Sequence, residues 1–277
     1  MKTFRNLITT IIILFFSGIF VFAQKENREE LNIPLSNPGQ PGKLECSLVN
    51  GSIKVTGYSG NEVHVIAIQP MKKIKVEQEV TDSDKAGLKK ITSTSFSLSA
   101  EEKGNVIEIS SDSWKSAINL EIKVPVKFSL DVGTVNHGNI TIDNVEGSLE
   151  ITNVNGNITL TDVSGSVVTN TVNGKVQVTL NRVDTDTPMS FASFNGDVDV
   201  TLPGSVKATA KLKSTTGDIY TDFDVDFEKK KVKVDESDKE GVFKVSIDES
   251  VYGNLNGGGP EFVFKTYHGD IYLRKKK

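Results

Sequence analysis

Two copies of one short phrase, Asp218-Ile219-Tyr220 and Asp270-Ile271-Tyr272, are the residues best suited to do chemistry at a surface. Each follows a turn glycine, Gly217 or Gly269, and opens a strand. Side chains alternate across a strand, so inward Ile219 and Ile271 would leave Tyr220 and Tyr272 outward. With Tyr252 and Tyr267, four of the five tyrosines fall in the last 58 residues. Exposed aromatic rings suit stacking on sugars or burial at a protein interface. Tyr220 and Tyr272 are therefore the candidate ligand-binding pair, although ordinary cross-strand pairing on a sheet would also place tyrosines this way.

Other chemistry finds less support. A hydrolase or lyase built on stacked strands needs Asp or Glu gathered on one outer face, often with Arg or Lys. Asp197 and Asp199 share a strand face, and Asp143 and Asp162 sit in turns. No acid is expected to recur in neighbouring repeats with a basic partner in its column, so no catalytic residue is assigned. His137 and His268 each precede a turn glycine where Asn stands elsewhere, which points to a conformational role. His64, between Val63 and Val65, reads as an outward strand residue. The sequence has one Cys and three His, so neither a disulfide framework nor a Cys or His metal centre is expected. Cys46 reads as a small buried residue. Calcium-binding repeats of the form Gly-Gly-x-Gly-x-Asp do not occur, and neither does a phosphate loop or a dinucleotide fingerprint. No cofactor is expected.

The elements that would position the tyrosines follow from the glycines. Gly138, Gly147, Gly156, Gly165 and Gly174 recur every nine residues. Aligned on them, the second position is always aliphatic (Ile140, Leu149, Ile158, Val167). The fourth is aliphatic except at Thr169, and the seventh is always Val (Val145, Val154, Val163, Val172). Positions two and four are the inward residues of a short strand, while position seven is expected to fill a corner. Glycine is expected to supply the positive φ that turns the chain. Recurrent Gly and abundant β-branched residues exclude helix. Gly156 and Gly174 follow Asn, whereas Gly147 and Gly165 precede Ser, so two unlike halves make a unit of eighteen.

The expected fold is all-β: a β-solenoid, or β-helix-like stack of short strands, with coils of about 18 residues. Stacking would set Ile140, Ile158 and Val176 in one column, with Asn155 over Asn173 as a side-chain ladder. An antiparallel β-sandwich of hairpins, turning at pairs such as Asn155-Gly156, is the alternative. Residues 24–130 are expected to form an N-terminal β region and cap that includes Trp114. Residues 131–277 would carry the repeats, continuous with the cap as one domain. A charged excursion between Asp226 and Ser250 is expected to form a protruding hairpin.

Lys2 and Arg5, an apolar run from Leu7 to Phe22, and Val21-Phe22-Ala23 make a signal peptide over residues 1–23 with cleavage near Ala23. Its removal leaves 30 basic and 36 acidic residues, an acidic balance that discourages nucleic-acid binding. The expected location is outside the cytoplasm, in the periplasm or at the cell surface, with no stable membrane span after processing.

These features together resemble a widespread bacterial envelope family of unknown function described as adhesins. The resemblance rests on the leader, the segment Gly51 to Val65, Ile122-Lys123-Val124-Pro125-Val126 leading into the Gly-Asn-Ile repeats, and the closing segment from Asn256 to Leu273. It implies a non-enzymatic binding or structural module of the cell envelope, with a glycan or another envelope protein as partner. A carbohydrate-active enzyme on a β-helix and an envelope-stress or assembly accessory are the alternatives.

Overall fold

The computed structural model describes residues 27–69, 98–111, 116–225, 227–229, 233–235, 244–246 and 250–277. The leader and Trp114 lie outside these residues. Alternating inward Val, Ile and Leu with outward polar residues forms strands throughout, and no helix occurs among the described residues.

In chain order the strands are β1 (Asn27–Pro34), β2 (Gly42–Asn50), β3 (Ile53–Tyr58), β4 (Glu62–Gln69) and β5 (Leu98–Lys103). Next come β6 (Val106–Ser111), β7 (Asn119–Pro125), β8 (Phe128–Asn136), β9 (Ile140–Asp143), β10 (Glu146–Asn155) and the long β11 (Ile158–Asn173). Then follow β12 (Val176–Val183), β13 (Met189–Asn195), β14 (Val198–Pro203), β15 (Ala208–Ser214), β16 (Ile219–Thr221) and β17 (Glu228–Lys229). The last are β18 (Lys233–Asp235), β19 (Lys244–Ser246), β20 (Val251–Leu255), β21 (Glu261–His268) and β22 (Ile271–Lys276). β18 and β19 pair antiparallel, with Val234 opposite Val245.

The chain is a two-faced β-solenoid. Each rung has one strand on each face, joined at a corner. The first face runs β6–β2–β8–β10–second half of β11–β13–β21–β15, all parallel. The second face runs β7–β3–β9–first half of β11–β12–β14–β22–β16, again all parallel. β10 and β11 lie parallel with Asn155 beside Asn173, so Asn155-Gly156 turns a corner between faces and not a hairpin. At the spacing of paired strands, eight described rungs span roughly 34 Å between first and last.

Spatial order departs from chain order at both ends. The rung β6–β7 stacks outside β2–β3, and the last rung in the chain, β21–β22, slots between β13–β14 and β15–β16. Antiparallel strands cover most of the exposed edges. β5 pairs with β6, β4 with β7 and β1 with β4 at one end. β20 pairs with β15 and β17 with β20 at the other.

Between the faces lies a core of stacked aliphatic columns. Ile53, Ile140, Ile158, Val176, Val198 and Ile271 form one of them, all fully buried. A second column carries Cys46, Val132, Ile151, Thr169, Phe191 and Phe264 across the opposite face, with the two phenyl rings stacked at 5.3 Å. Burial pushes the Cys46 thiol up to about 12.

The repeat glycines have a different cause from the one expected. Of Gly138, Gly147, Gly156, Gly165 and Gly174, Gly165 alone has a positive φ. At Gly156 a Cβ would overlap the Gly138 carbonyl, and at Gly174 the Gly156 carbonyl. Close approach of backbones in successive rungs demands glycine here, and the same contact continues through Gly196, Gly269 and Gly217.

Position seven is also corrected. Val145 and Val163 are buried, but Val154 and Val172 are 36% and 40% exposed. The two halves of the unit turn different corners, and the Asn-Gly corner throws its valine outward.

Candidate functional site

The Asn-Gly corner is built from three ladders. In the first, Asn155, Asn173 and Asn195 each donate an amide N–H to the Asn of the rung beneath, at 3.1, 2.8 and 2.8 Å, starting from Asn136. His268 replaces Asn in the next rung, its Nδ1 2.9 Å from the Asn195 Oδ1. His137 is an extra residue before Gly138 in the left-handed region, with φ 56°, and its Nδ1 lies 3.3 Å from the Oδ1 of Asn50 in the rung beneath.

The second ladder is buried except at Ser214, which is half-buried. Thr134, Asn153, Thr171, Ser193, Thr266 and Ser214 each donate a side-chain hydrogen bond of 2.8–3.0 Å to the carbonyl of the corner glycine beneath. These polar residues satisfy carbonyls that the turn leaves unpaired. Their regular place before each corner glycine is legible in the sequence, but their acceptors lie in neighbouring rungs.

The third ladder follows the glycines. Asn139 and Asn157 each accept a backbone N–H from the next rung, at 2.9 and 2.8 Å. In the last three rungs the same position is acidic: Asp197 Oδ1 accepts from Asp270 N–H at 3.0 Å, and Asp270 Oδ1 from Asp218 N–H at 2.9 Å. Acids thus recur in neighbouring rungs with Lys175 in the same column, which corrects the expectation that no acid would recur with a basic partner in its column. Asp197 and Asp270 are 73 residues apart in the chain and adjacent because β21–β22 is inserted between older neighbours. Lys175 stands in that column one rung beneath Asp197, with its ammonium 3.5 Å from Asp199. No group of three His, Cys, Asp or Glu side chains among the described residues could hold a metal ion.

The two sequence-predicted tyrosines meet directly. Tyr220 and Tyr272 occupy one register position on β16 and β22, and their rings stack at 5.2 Å with planes 11° apart. Tyr272 donates its hydroxyl to Asp270 Oδ2 at 3.0 Å, and Tyr220 to Asp218 Oδ2 at 3.4 Å. The Asp218 charge holds the Tyr220 phenol above its ordinary range, and the bond to Asp270 does the same at Tyr272. Beneath Tyr272, Asp199 accepts from Arg274 Nε at 2.8 Å and pairs with Lys175 at 3.5 Å. Arg274 in turn lies 4.9 Å from the Tyr272 ring centre.

Around the corner stands a second aromatic pair that the sequence reading did not single out. Phe194 and Tyr267 stack at 4.9 Å with planes 6° apart, and His268 packs edge-on against both. Both rings are exposed, and they continue an outward column of Val49, Val135, Val154 and Val172. The C-terminal part of the corner therefore offers two aromatic stacks flanking a line of three carboxylates.

Stacked rungs and internal ladders together define a capped β-solenoid with an exposed aromatic corner. The chain belongs to the Toastrack DUF4097 family, whose sequence profile matches residues 9–255. No curated protein matches. Among solved structures, a "putative cell adhesion protein" from Clostridium sporogenes is similar, with 13% identity and a TM-score of 0.49 over 91% of this chain and 100% of that one. A "putative adhesin" from Bacteroides fragilis shares 10% identity, with a TM-score of 0.32 over 90% of this chain and 97% of that one. A "putative lipid binding protein" from Parabacteroides distasonis shares 10% identity, with a TM-score of 0.27 over 91% and 97%.

Proposed function

We propose that this protein is an exported, non-enzymatic, adhesin-like binding module of the bacterial cell envelope, and that its contact surface is the aromatic corner at the C-terminal end. The observation that carries the reading is the pairing of Tyr220 with Tyr272 and of Phe194 with Tyr267 on either side of Asp197, Asp270 and Asp218. Aromatic rings meet the apolar faces of sugar rings, and carboxylates accept hydrogen bonds from sugar hydroxyls. A glycan is the ligand class that uses both. The leader over residues 1–23 delivers the module beyond the cytoplasm.

Catalysis is disfavoured by the way the acids are used. Acid–base pairs in glycoside hydrolysis are set apart by environment, one carboxyl being kept protonated. Here Asp197 and Asp270 each spend an oxygen on a backbone N–H, and Asp270 and Asp218 each receive a tyrosine hydroxyl.

A glycan array followed by calorimetry tests the reading. Replacing Tyr220 and Tyr272 by Ser should abolish the strongest glycan signal, as should replacing Phe194 and Tyr267. Unchanged glycan binding in both variants would overturn it, and turnover of any polysaccharide in a panel would favour the enzyme. The exposed row Val49, Val135, Val154 and Val172 favours a second reading, contact with another envelope protein. Under it, Val154→Ser with Val172→Ser would abolish capture of that partner and spare glycan binding.

A further inference from the structure

At the other end of the molecule, far along the stack from the aromatic corner, β1, β4, β7 and β3 lie side by side in that order. Their outer face is hollowed into a cavity of about 330 Å³, within the range of small-molecule sites. Strand register places its lining in two lateral rows. One reads Asn32, His64, Lys123, Thr56 across the four strands, and the other Glu30, Ile66, Glu121, Lys54. Tyr58 closes one end: its hydroxyl donates to the Glu62 carbonyl at 2.8 Å, and its ring meets the His64 imidazole at 5.4 Å.

The charges in this cavity do not cancel locally. Arg28 is paired with Glu30 at 2.9 Å, and His64 lies between Asn32 Oδ1 at 2.6 Å and Glu62 Oε1 at 3.3 Å. Lys54 and Lys123 have no ion pair or hydrogen bond among the described residues. Glu121 faces Lys54 across the β3–β7 pair, but Lys123 has His64 and Thr56 as its lateral neighbours and no acid. Two ammonium groups thus stand over one unengaged carboxylate, beside a tyrosine ring and the Ile66 side chain.

We propose that this cavity is a binding site for a small organic acid, with its anionic group held by Lys123 and Lys54 and its apolar body against Tyr58 and Ile66. Charge-assisted hydrogen bonds to an anion are the interactions these lysines lack in the free protein. The site is separate from the aromatic corner and does not depend on the glycan reading.

Benzoate is the probe, and the side-chain NMR signals of His64 are the reporter, since that imidazole borders the cavity. Titration should shift the His64 signals with millimolar affinity and leave His268 unmoved. Lys54→Ala with Lys123→Ala should weaken binding at least tenfold, while Tyr220→Ser with Tyr272→Ser should leave it unchanged. Both lysines are on the surface, so their replacement should leave the fold intact, which the unshifted His268 signals would verify. Absence of a His64 shift, persistence of the shift in the double lysine variant, or equal affinity for benzylamine would each overturn the proposal.

Discussion

Thr169 and Thr171 sit two residues apart on β11, both buried, and the same substitution should move them in opposite directions. The Thr171 hydroxyl donates to the Gly156 carbonyl at 2.9 Å, so it belongs to the ladder that holds successive rungs together. The Thr169 hydroxyl has no partner. Thr169→Val removes a desolvated, unpaired group and should stabilise the protein by about 1 kcal/mol. Thr171→Val leaves a buried carbonyl orphaned and should cost about 1–3 kcal/mol. Thermal unfolding followed by circular dichroism separates them; shifts of the same sign would refute the account. Thr169 was legible as the one break in an aliphatic column, because period two places it inward. The role of Thr171 was not, since its acceptor lies in another rung.

At the scale of the element, each rung depends on a glycine whose need arises in its neighbour. Gly156→Ala would force a Cβ into the Gly138 carbonyl, and backbone cannot yield as a flexible side chain can. A cost of about 3 kcal/mol is expected, the upper end for overpacking. Gly204, in the turn after β14, has nothing within 4 Å of such a Cβ and no positive φ, so Gly204→Ala should be close to neutral. Equal melting temperatures for the two variants would argue against backbone contact as the cause. The nine-residue spacing is plain in the sequence, but backbone contact imposes it at Gly138, Gly147, Gly156 and Gly174, and Gly165 alone of the five also needs the positive φ. Spacing reports that a position tolerates only glycine and is silent on whether torsion or contact imposes it. For the same reason Val154 and Val172 looked equivalent to Val145 and Val163, although the two corners turn them to opposite sides.

For the whole molecule, the inserted position of β21–β22 makes the C-terminal segment a keystone. Nearest-neighbour interfaces stabilise a solenoid, so removing an inner rung breaks two of them. Deleting residues 261–277 should uncover β14 and β13 on one side and strand β15–β16 on the other. Aggregation through those open edges is the expected outcome, read by size-exclusion chromatography with light scattering. Deleting residues 27–34 removes only β1, the outermost strand, which pairs with β4 alone, and should leave a soluble, cooperatively melting protein. A monomeric, equally stable C-terminal deletion would show that the inserted rung is dispensable.

The sequence by itself determined the strands, the rung and the stacking of Asn155 on Asn173. Those properties arise from alternation and spacing between residues at most 18 positions apart. It also brought forward Tyr220 and Tyr272, because a repeated phrase after two turn glycines sets both side chains outward. Only the tertiary structure decided that the last rung slots between two earlier ones. That insertion set Asp270 between Asp197 and Asp218 and laid Tyr267 on Phe194, contacts spanning 52 residues or more. Strand edges are chemically alike along the whole stack, so local sequence does not say which edge a rung will join. The choice is made by how the finished edges and columns pack together.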